Sequence, residues 1–327
     1  MDVVGGLLDG PRARGAFLLR VHLRAPWSLR LEDESPLTLV PVLRGSAWIG
    51  PPAPTADDPG EHLGPGDVAV LRGGGVYVVA DSPATAPQIV IGPEPDVCRP
   101  VEGVPSQMRE LGARTWGNDL DGETVLLTGT YLTDSAVGRR VLRTLPARSV
   151  VRRGEVDPVL VDLLAREITQ DLPGQDAAGD RLLDLILLSC LRSRLAHPGA
   201  PGWYRAGGDP VVGAVLRRVH DDPAHPWTLE GLAREAGLSR AAFARRFTTL
   251  VGEPPVTYLT GWRLDLAADL LLDPDATLTS VARAVGYGSP YALSAAFTRV
   301  RGVSPSEHRR RVLAGDCGTT QLDPVAL

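Results

Sequence analysis

With 327 residues, 43% of them hydrophobic and 22% charged, the chain has room for two domains and an ordinary globular composition. No stretch approaches the roughly eighteen apolar residues of a membrane span, and the N-terminus lacks a basic then apolar signal region, so no membrane partner and a cytoplasmic location are expected. The three cysteines, Cys98, Cys190 and Cys317, are far apart and in no CxxC or Cys/His ligand spacing, which argues against a disulfide framework or zinc finger and for buried or incidental thiols.

From residue 16 to about 131, short apolar runs alternate with Gly and Pro: Phe17 to Leu23, Leu37 to Leu43, Ala47 to Ile49, Val68 to Leu71, Val76 to Val79, Gln88 to Ile91 and Val125 to Leu127. This pattern predicts an antiparallel β domain, a sandwich or barrel. The proline-rich stretch from Gly50 to Gly60 reads as a long hairpin excursion, and Pro65-Gly66-Asp67 as a tight turn into the next strand. After Leu145-Pro146 the period becomes helical. Leu160, Leu163, Leu164, Glu167 and Ile168 share one face. The run around Leu182, Leu185, Ile186, Leu188 and Leu191 is apolar over more than one face and needs two partners, one of which can be a second subunit, so these five residues are the candidate dimerisation set. The first domain is therefore placed at 1–200, with its helical part at about 157–197, followed by a Gly- and Pro-rich linker at 201–209. A helical domain at 210–315 and a disordered tail at 316–327 complete the chain.

The helical domain contains a degenerate repeat. Leu232-Ala-Arg-Glu-Ala-Gly-Leu-Ser239 returns as Val281-Ala-Arg-Ala-Val-Gly-Tyr-Gly-Ser289, and Phe247-Thr248, Gly252 and Pro255 return fifty residues later as Phe297-Thr298, Gly302 and Pro305. Two short helices crossing steeply need a small residue at the crossing and a turn residue that tolerates positive φ. Ala233 and Ala282 suit the first role, and Gly237 and Gly286 the second. Ser239 and Ser289 stand where an N-cap is wanted, and Thr228 caps the helix that opens the first module. Phe243, Phe247, Leu293 and Phe297 recur at inward-facing helical positions, and a longer helix from Pro255 to Asp273 joins the modules. Each copy reads as a helix-turn-helix unit.

Charge alone does not favour nucleic acid, because the net formal charge is −5 and phosphate contacts dominate such binding. The distribution is uneven, however. Every basic side chain apart from His is Arg; residues 209–315 hold 13 Arg against 11 acids, a net +2, which leaves −7 for the rest. Any DNA contact must then come from local clusters such as Arg245/Arg246, Arg299/Arg301 and Arg309/Arg310/Arg311.

These residues carry a family resemblance. The stretch SVARAVGYGSPYALSAAFTRVRGVSPSEHRR at 280–310 is very similar to the signature of the AraC/XylS class of bacterial transcription regulators. The segments LTLVPVLRGSAWI, LGPGDVAVLRGGGVYVVAD, LLTGTYL, LRTLPARSVV and GDRLLDLILLSCLRSRLA follow in order the cupin-type sensor domain attached to many of them. The resemblance implies an α+β chain: a cupin-like β-barrel with dimerisation helices, then an all-α domain of two helix-turn-helix modules whose recognition helices enter successive major grooves. On this sequence the first recognition helix is Ser239 to Phe247 and the second begins at Ser289 or Pro290 and runs to Phe297. The DNA-facing set is Arg240, Ala241, Ala244, Arg245 and Arg246 in the first, and Ser289, Tyr291, Ser294, Ala295 and Arg299 in and beside the second. Arg245 is the candidate for bidentate contact to guanine. Many relatives carry Arg or Gln at the positions of Ala244 and Ala295, so the second helix here offers mostly apolar and hydroxyl contacts.

Metal-binding cupins supply paired His, a Glu and a later His, whereas this chain has Val40-Pro41-Val42 and Gly75-Val76-Tyr77 at the corresponding stretches. No metal, cofactor or catalytic residue is therefore expected, and His22 and His62 read as surface or core residues. Relatives also often carry cysteines where this chain has Ala47 and Thr128, which weighs against thiol-based sensing. The expected barrel interior would hold a small organic effector against Trp27, Arg44, Trp48, Arg72, Tyr77, Trp116 and Tyr131. The resulting expectation is a homodimeric, effector-responsive activator that binds promoter DNA and works with RNA polymerase. A constitutive dimeric regulator with a scaffold barrel and a cupin enzyme are the alternatives.

Overall fold

The computed structural model describes residues 16–32, 35–73, 75–92, 98–131, 136, 146–170, 172–196 and 202–316; the expected tail beyond Asp316, Cys317 included, lies outside them. The described residues up to Thr133 and from Leu145 to Arg194 form a β-rich unit. Those from Leu195 onward, together with Ala136, form a helical one.

Thirteen strands make two sheets in the β-rich unit. The seven-stranded sheet runs β10 (Arg109–Gly112), β11 (Thr115–Gly117), β1 (Phe17–Leu23), β12 (Thr124–Tyr131), β3 (Leu37–Arg44), β6 (Val68–Arg72), β13 (Arg148–Val151). The six-stranded sheet runs β5 (Glu61–Leu63), β4 (Ala47–Gly50), β7 (Tyr77–Ala80), β2 (Ser28–Leu31), β8 (Ile89–Ile91), β9 (Cys98–Pro100). Alternation along the strands sends one face of each sheet into a shared core: Val21 and Leu23 of β1, Val40 and Val42 of β3 and Leu126 of β12 meet Leu29, Ile49, Val79 and Ile89 from the other sheet. The pairing is not wholly antiparallel as the sequence pattern predicts, because β1 pairs parallel with β11 and β2 parallel with β8. A tight hairpin produces only antiparallel neighbours, whereas these two pairs close over long intervening segments, and apolar runs do not encode such partners.

Helix α1 (Pro158–Glu167) follows the last strand and packs against β3. Asp157 caps it by accepting from the Val159 amide, and Pro158 occupies the first turn, where its missing N–H costs nothing. Helix α2 (Gln175–Ala196) lies on the outer face of the seven-stranded sheet. It approaches β12 at Gly129, where a Cβ would stand 2.3 Å from a methyl carbon of Leu183, and the Tyr131 hydroxyl donates to Asp184 at 3.1 Å. Of the candidate dimerisation residues, Ile186 and Leu191 are 0% and 1% exposed, so they serve their own domain and not a second subunit. Leu182 and Leu188 are half-buried, and Leu185 is 46% exposed.

The helical unit comprises α3 (Gly202–Gly207), α4 (Val212–Asp221), α5 (Leu229–Glu235), α6 (Arg240–Val251), α7 (Pro255–Leu270), α8 (Leu278–Ala284), α9 (Pro290–Arg301) and α10 (Pro305–Asp316). The stretch read as a linker contains α3, which packs against α6 as part of this unit; Gly and Pro here punctuate short helices and do not mark a free connection. Gly213 permits the turn from α3 to α4, since a Cβ there would lie 2.2 Å from the Gly207 carbonyl oxygen.

Candidate DNA interface

Both helix-turn-helix units form as the repeat predicts. Thr228 Oγ1 accepts from the Gly231 amide at the start of α5 and Thr277 Oγ1 from the Ser280 amide at the start of α8, the latter completed as a capping box by the Ser280 side chain. Ala233 and Ala282 are buried, and Gly237 and Gly286 take φ of +64° and +76° in the turns. Ser239 Oγ then accepts from the Ala242 amide at 3.3 Å and Ser289 Oγ from the Ala292 amide at 3.1 Å, fixing where α6 and α9 begin. Each second helix ends on a left-handed glycine, Gly252 or Gly302, whose amide returns to Thr248 or Thr298.

The inward sides of α6 and α9 hold the modules together: Phe243, Phe247, Leu293 and Phe297 are buried. Phe243 and Phe247 pack as tilted rings 5.6 Å apart between centres, and Phe247 meets Tyr258 of α7 edge-on. The outward sides carry the candidate contacts. On α6, Arg240, Ala241 and Arg245 are exposed and Ala244 is half-buried; on α9, Tyr291 is 83% exposed, Ala295 and Arg299 are exposed, and Ser289 and Ser294 are half-buried. Tyr291 is a large aromatic ring placed in water at the start of a recognition helix, where it can stack on or pack against a base or sugar.

The arginines separate into two groups that the sequence leaves together. Arg246 donates to Asp209 at 2.7 Å and ties α6 to the start of α4, whose Val211 and Val212 amides the same carboxylate accepts. Burial opposes the charge on Asp209, and these donors outweigh it, holding its pKa below the ordinary carboxylate value. Arg301 pairs with the buried Asp265 of α7 and lies 5.4 Å over the Phe297 ring. Arg309 donates to the carbonyls of Leu271 and Ala276 beyond the end of α7, and Arg310 and Arg311 pair with Glu307 on their own helix. By contrast, Arg240, Arg245 and Arg299 form no ion pair among the described residues and are available to phosphate or base.

The seven candidate effector residues do not gather at one place. Trp27, Tyr77 and Trp116 belong to the core between the sheets, with Trp27 0% exposed. Trp48 packs with Val78 and Ala80 in a separate cluster and donates to the Pro59 carbonyl. Tyr131 faces α2, Arg44 is exposed at the end of β3 and donates to the Gly122 carbonyl, and Arg72 is half-buried at the end of β6. An open groove of about 600 Å³ lies instead between α1 and the neighbouring sheet, with none of the seven in its lining. Aromatic and arginine content alone does not say which sheet face a side chain takes. Among the described residues no three His, Cys, Asp or Glu side chains cluster as a metal site. His22 Nδ1 lies 2.8 Å from the Leu120 carbonyl and His62 is exposed.

Two family models match the chain: a cupin domain over residues 2–196 and a helix-turn-helix domain over residues 232–311. A protein of Streptomyces antibioticus described as an AraC-like transcription regulator is 35% identical over 224 residues, 65% of this chain and 74% of its own. The regulator AlkR of Acinetobacter baylyi is 26% identical over 95% of this chain and 100% of its own. Among solved structures, the DNA-binding domain of AdpA in complex with a target DNA is 33% identical, covering 31% of this chain and 92% of that one with a TM-score of 0.30.

Proposed function

The chain belongs to the AraC-like transcription regulators that join a cupin domain to a helix-turn-helix DNA-binding domain, and from this premise we propose that it is an effector-responsive, sequence-specific activator of transcription. The observation that carries the DNA-binding half is the pair of capped helices α6 and α9, each buried on one side and open on the other, with Arg240, Arg245, Tyr291 and Arg299 on or beside the open faces. Arg245 reads guanine, Arg240 and Arg299 hold phosphates, and Tyr291, Ser294 and Ala295 supply apolar and hydroxyl contacts. The cupin domain binds a small organic molecule and is non-enzymatic. Two copies associate through the exposed edge of α2 at Leu185, flanked by Leu182 and Leu188, and the bound regulator recruits RNA polymerase.

The effector must bind one arrangement of the regulator more tightly than another, since equal affinity for both would shift nothing. The test is a thermal-shift screen of the full chain against metabolites, with hits repeated in the presence of promoter DNA from its own gene neighbourhood. A stabilising compound that also changes DNA affinity supports the reading. Specific DNA binding that no compound alters favours a constitutive regulator with a scaffold barrel, and loss of any sequence preference overturns the assignment of α6 and α9.

A further inference from the structure

We propose that the cupin domain binds a small organic anion, a carboxylate with an apolar body, in the groove between the outer face of its seven-stranded sheet and helix α1, and not between its two sheets. The groove is open to solvent along one side and offers about 600 Å³, within the range of sites for small organic molecules. Its floor is Arg20 of β1 and Leu43 of β3, and its wall includes Val159, Asp162, Ala165 and Arg166 of α1. The space between the sheets, by contrast, is filled by apolar side chains, Trp27 and Trp116 among them.

Three features define the ligand. First, Arg20 points away from the core that its neighbours Leu19 and Val21 enter, lines the floor of the groove and forms no ion pair among the described residues. A guanidinium on that floor is matched by an anionic oxygen arriving along the groove. Second, Arg166 comes from the helix side of the same groove, so the cations stand on both walls, while Asp162 forms no ion pair with either among the described residues. Two arginines against one aspartate leave a single net positive charge, which suits a monocarboxylate better than a dianion. Third, Leu43, Ala165 and the half-exposed Val159 provide apolar surface beside the cations, and Thr169, at the groove's end, has its hydroxyl engaged with the Arg166 carbonyl. The consequence of binding for DNA rests on the effector-responsive reading above; the site itself does not.

The experiment uses the full chain and three isosteric probes, 4-phenylbutyrate, 4-phenylbutanol and 4-phenylbutylamine, with binding followed by calorimetry and thermal shift. The carboxylate is expected to bind and the alcohol and amine to bind at least about tenfold more weakly. Arg20→Gln should weaken carboxylate binding by about tenfold or more, and Arg166→Gln, at an exposed helix position that leaves folding intact, by several-fold. Equal binding of the three probes, no carboxylate binding up to about 10 mM, or unchanged affinity in both variants overturns the site. Carboxylate binding through Arg20 with unaltered DNA affinity keeps the site and overturns the switching role. A neutral effector that shifts DNA affinity equally in Arg20→Gln and the native chain keeps the switch and overturns the site.

Discussion

The division among arginines shows how little residue type says about role. Arg245 and Arg246 are adjacent in sequence, yet α6 turns one outward and the other onto Asp209. Arg245→Ala is expected to cost about 1–3 kcal/mol of specific DNA binding and to relax preference at one base pair; fluorescence anisotropy on operator variants measures both, and unchanged affinity with unchanged preference removes Arg245 from the recognition surface. Arg246→Ala should instead lower the melting temperature, because it leaves Asp209 without its cation. In the β-rich unit, Asp67 plays a comparable supporting part. Its buried carboxylate accepts from the Gly64 and Arg153 amides and from Arg152, and although burial raises its pKa, these donors outweigh it and hold it below the ordinary value. A lowered folded-state pKa gives stability that is present above the unfolded value near pH 4 and is lost as pH falls through the folded one. Asp67→Asn should therefore cost about 1–2 kcal/mol at pH 7. The gap between variant and native chain should close as the pH approaches 3 in urea titrations, and a gap that persists unchanged at pH 3 contradicts the assignment.

At the scale of elements, the two turns look equivalent in sequence and differ in their surroundings. Gly237 has a φ of +64° with open space where a Cβ would sit. Gly286, at +76°, would place that atom 2.7 Å from the Ala224 carbonyl oxygen and from an Arg263 nitrogen. Gly237→Ala should therefore cost about 1 kcal/mol, the conformational penalty alone, and Gly286→Ala at least about 1 kcal/mol more; equal losses in thermal unfolding would mean that the residues around Gly286 give way freely. The repeat made these turns, their serine caps and the inward phenylalanines legible, because each arises from local backbone geometry that a sequence offset reproduces. Strands β2, β5, β9, β10, β11 and β13 escaped the pattern because none of them holds the three consecutive apolar residues that made the equally short β4, β7 and β8 legible. Helix α3 escaped because glycine at its ends resembled a linker. Which α2 leucines are buried was equally hidden: a helix apolar on several sides looks alike from each, and the close approaches of Leu183 to Gly129 of β12 and of Gly179 to Leu18 of β1 mark the covered face.

At the scale of the whole molecule, the opposing charges of the two halves limit how DNA can be held. An overall charge of −5 gives no general attraction to a polyanion, so affinity must come from the cations that the fold leaves free. Within residues 209–315 of the helical unit, Arg218, Arg246, Arg301, Arg310 and Arg311 are paired with acids. Arg263 and Arg309 are engaged by backbone carbonyls. Arg217, Arg234, Arg240, Arg245, Arg283 and Arg299 are left without an ion pair among the described residues. If each met one phosphate, the dependence of log K on log salt would have a slope of about −5 per bound chain, and a subset facing the duplex would give about −3. The expected slope therefore lies between about −3 and −5 per chain, read from anisotropy titrations over a range of potassium chloride. Arg240→Gln should reduce its magnitude by about one with little change in sequence preference, while Arg245→Ala should change preference more than slope. A slope twice as steep per chain would mean that the internal ion pairs open on DNA, and Arg246 and Arg301 would then belong to the interface after all.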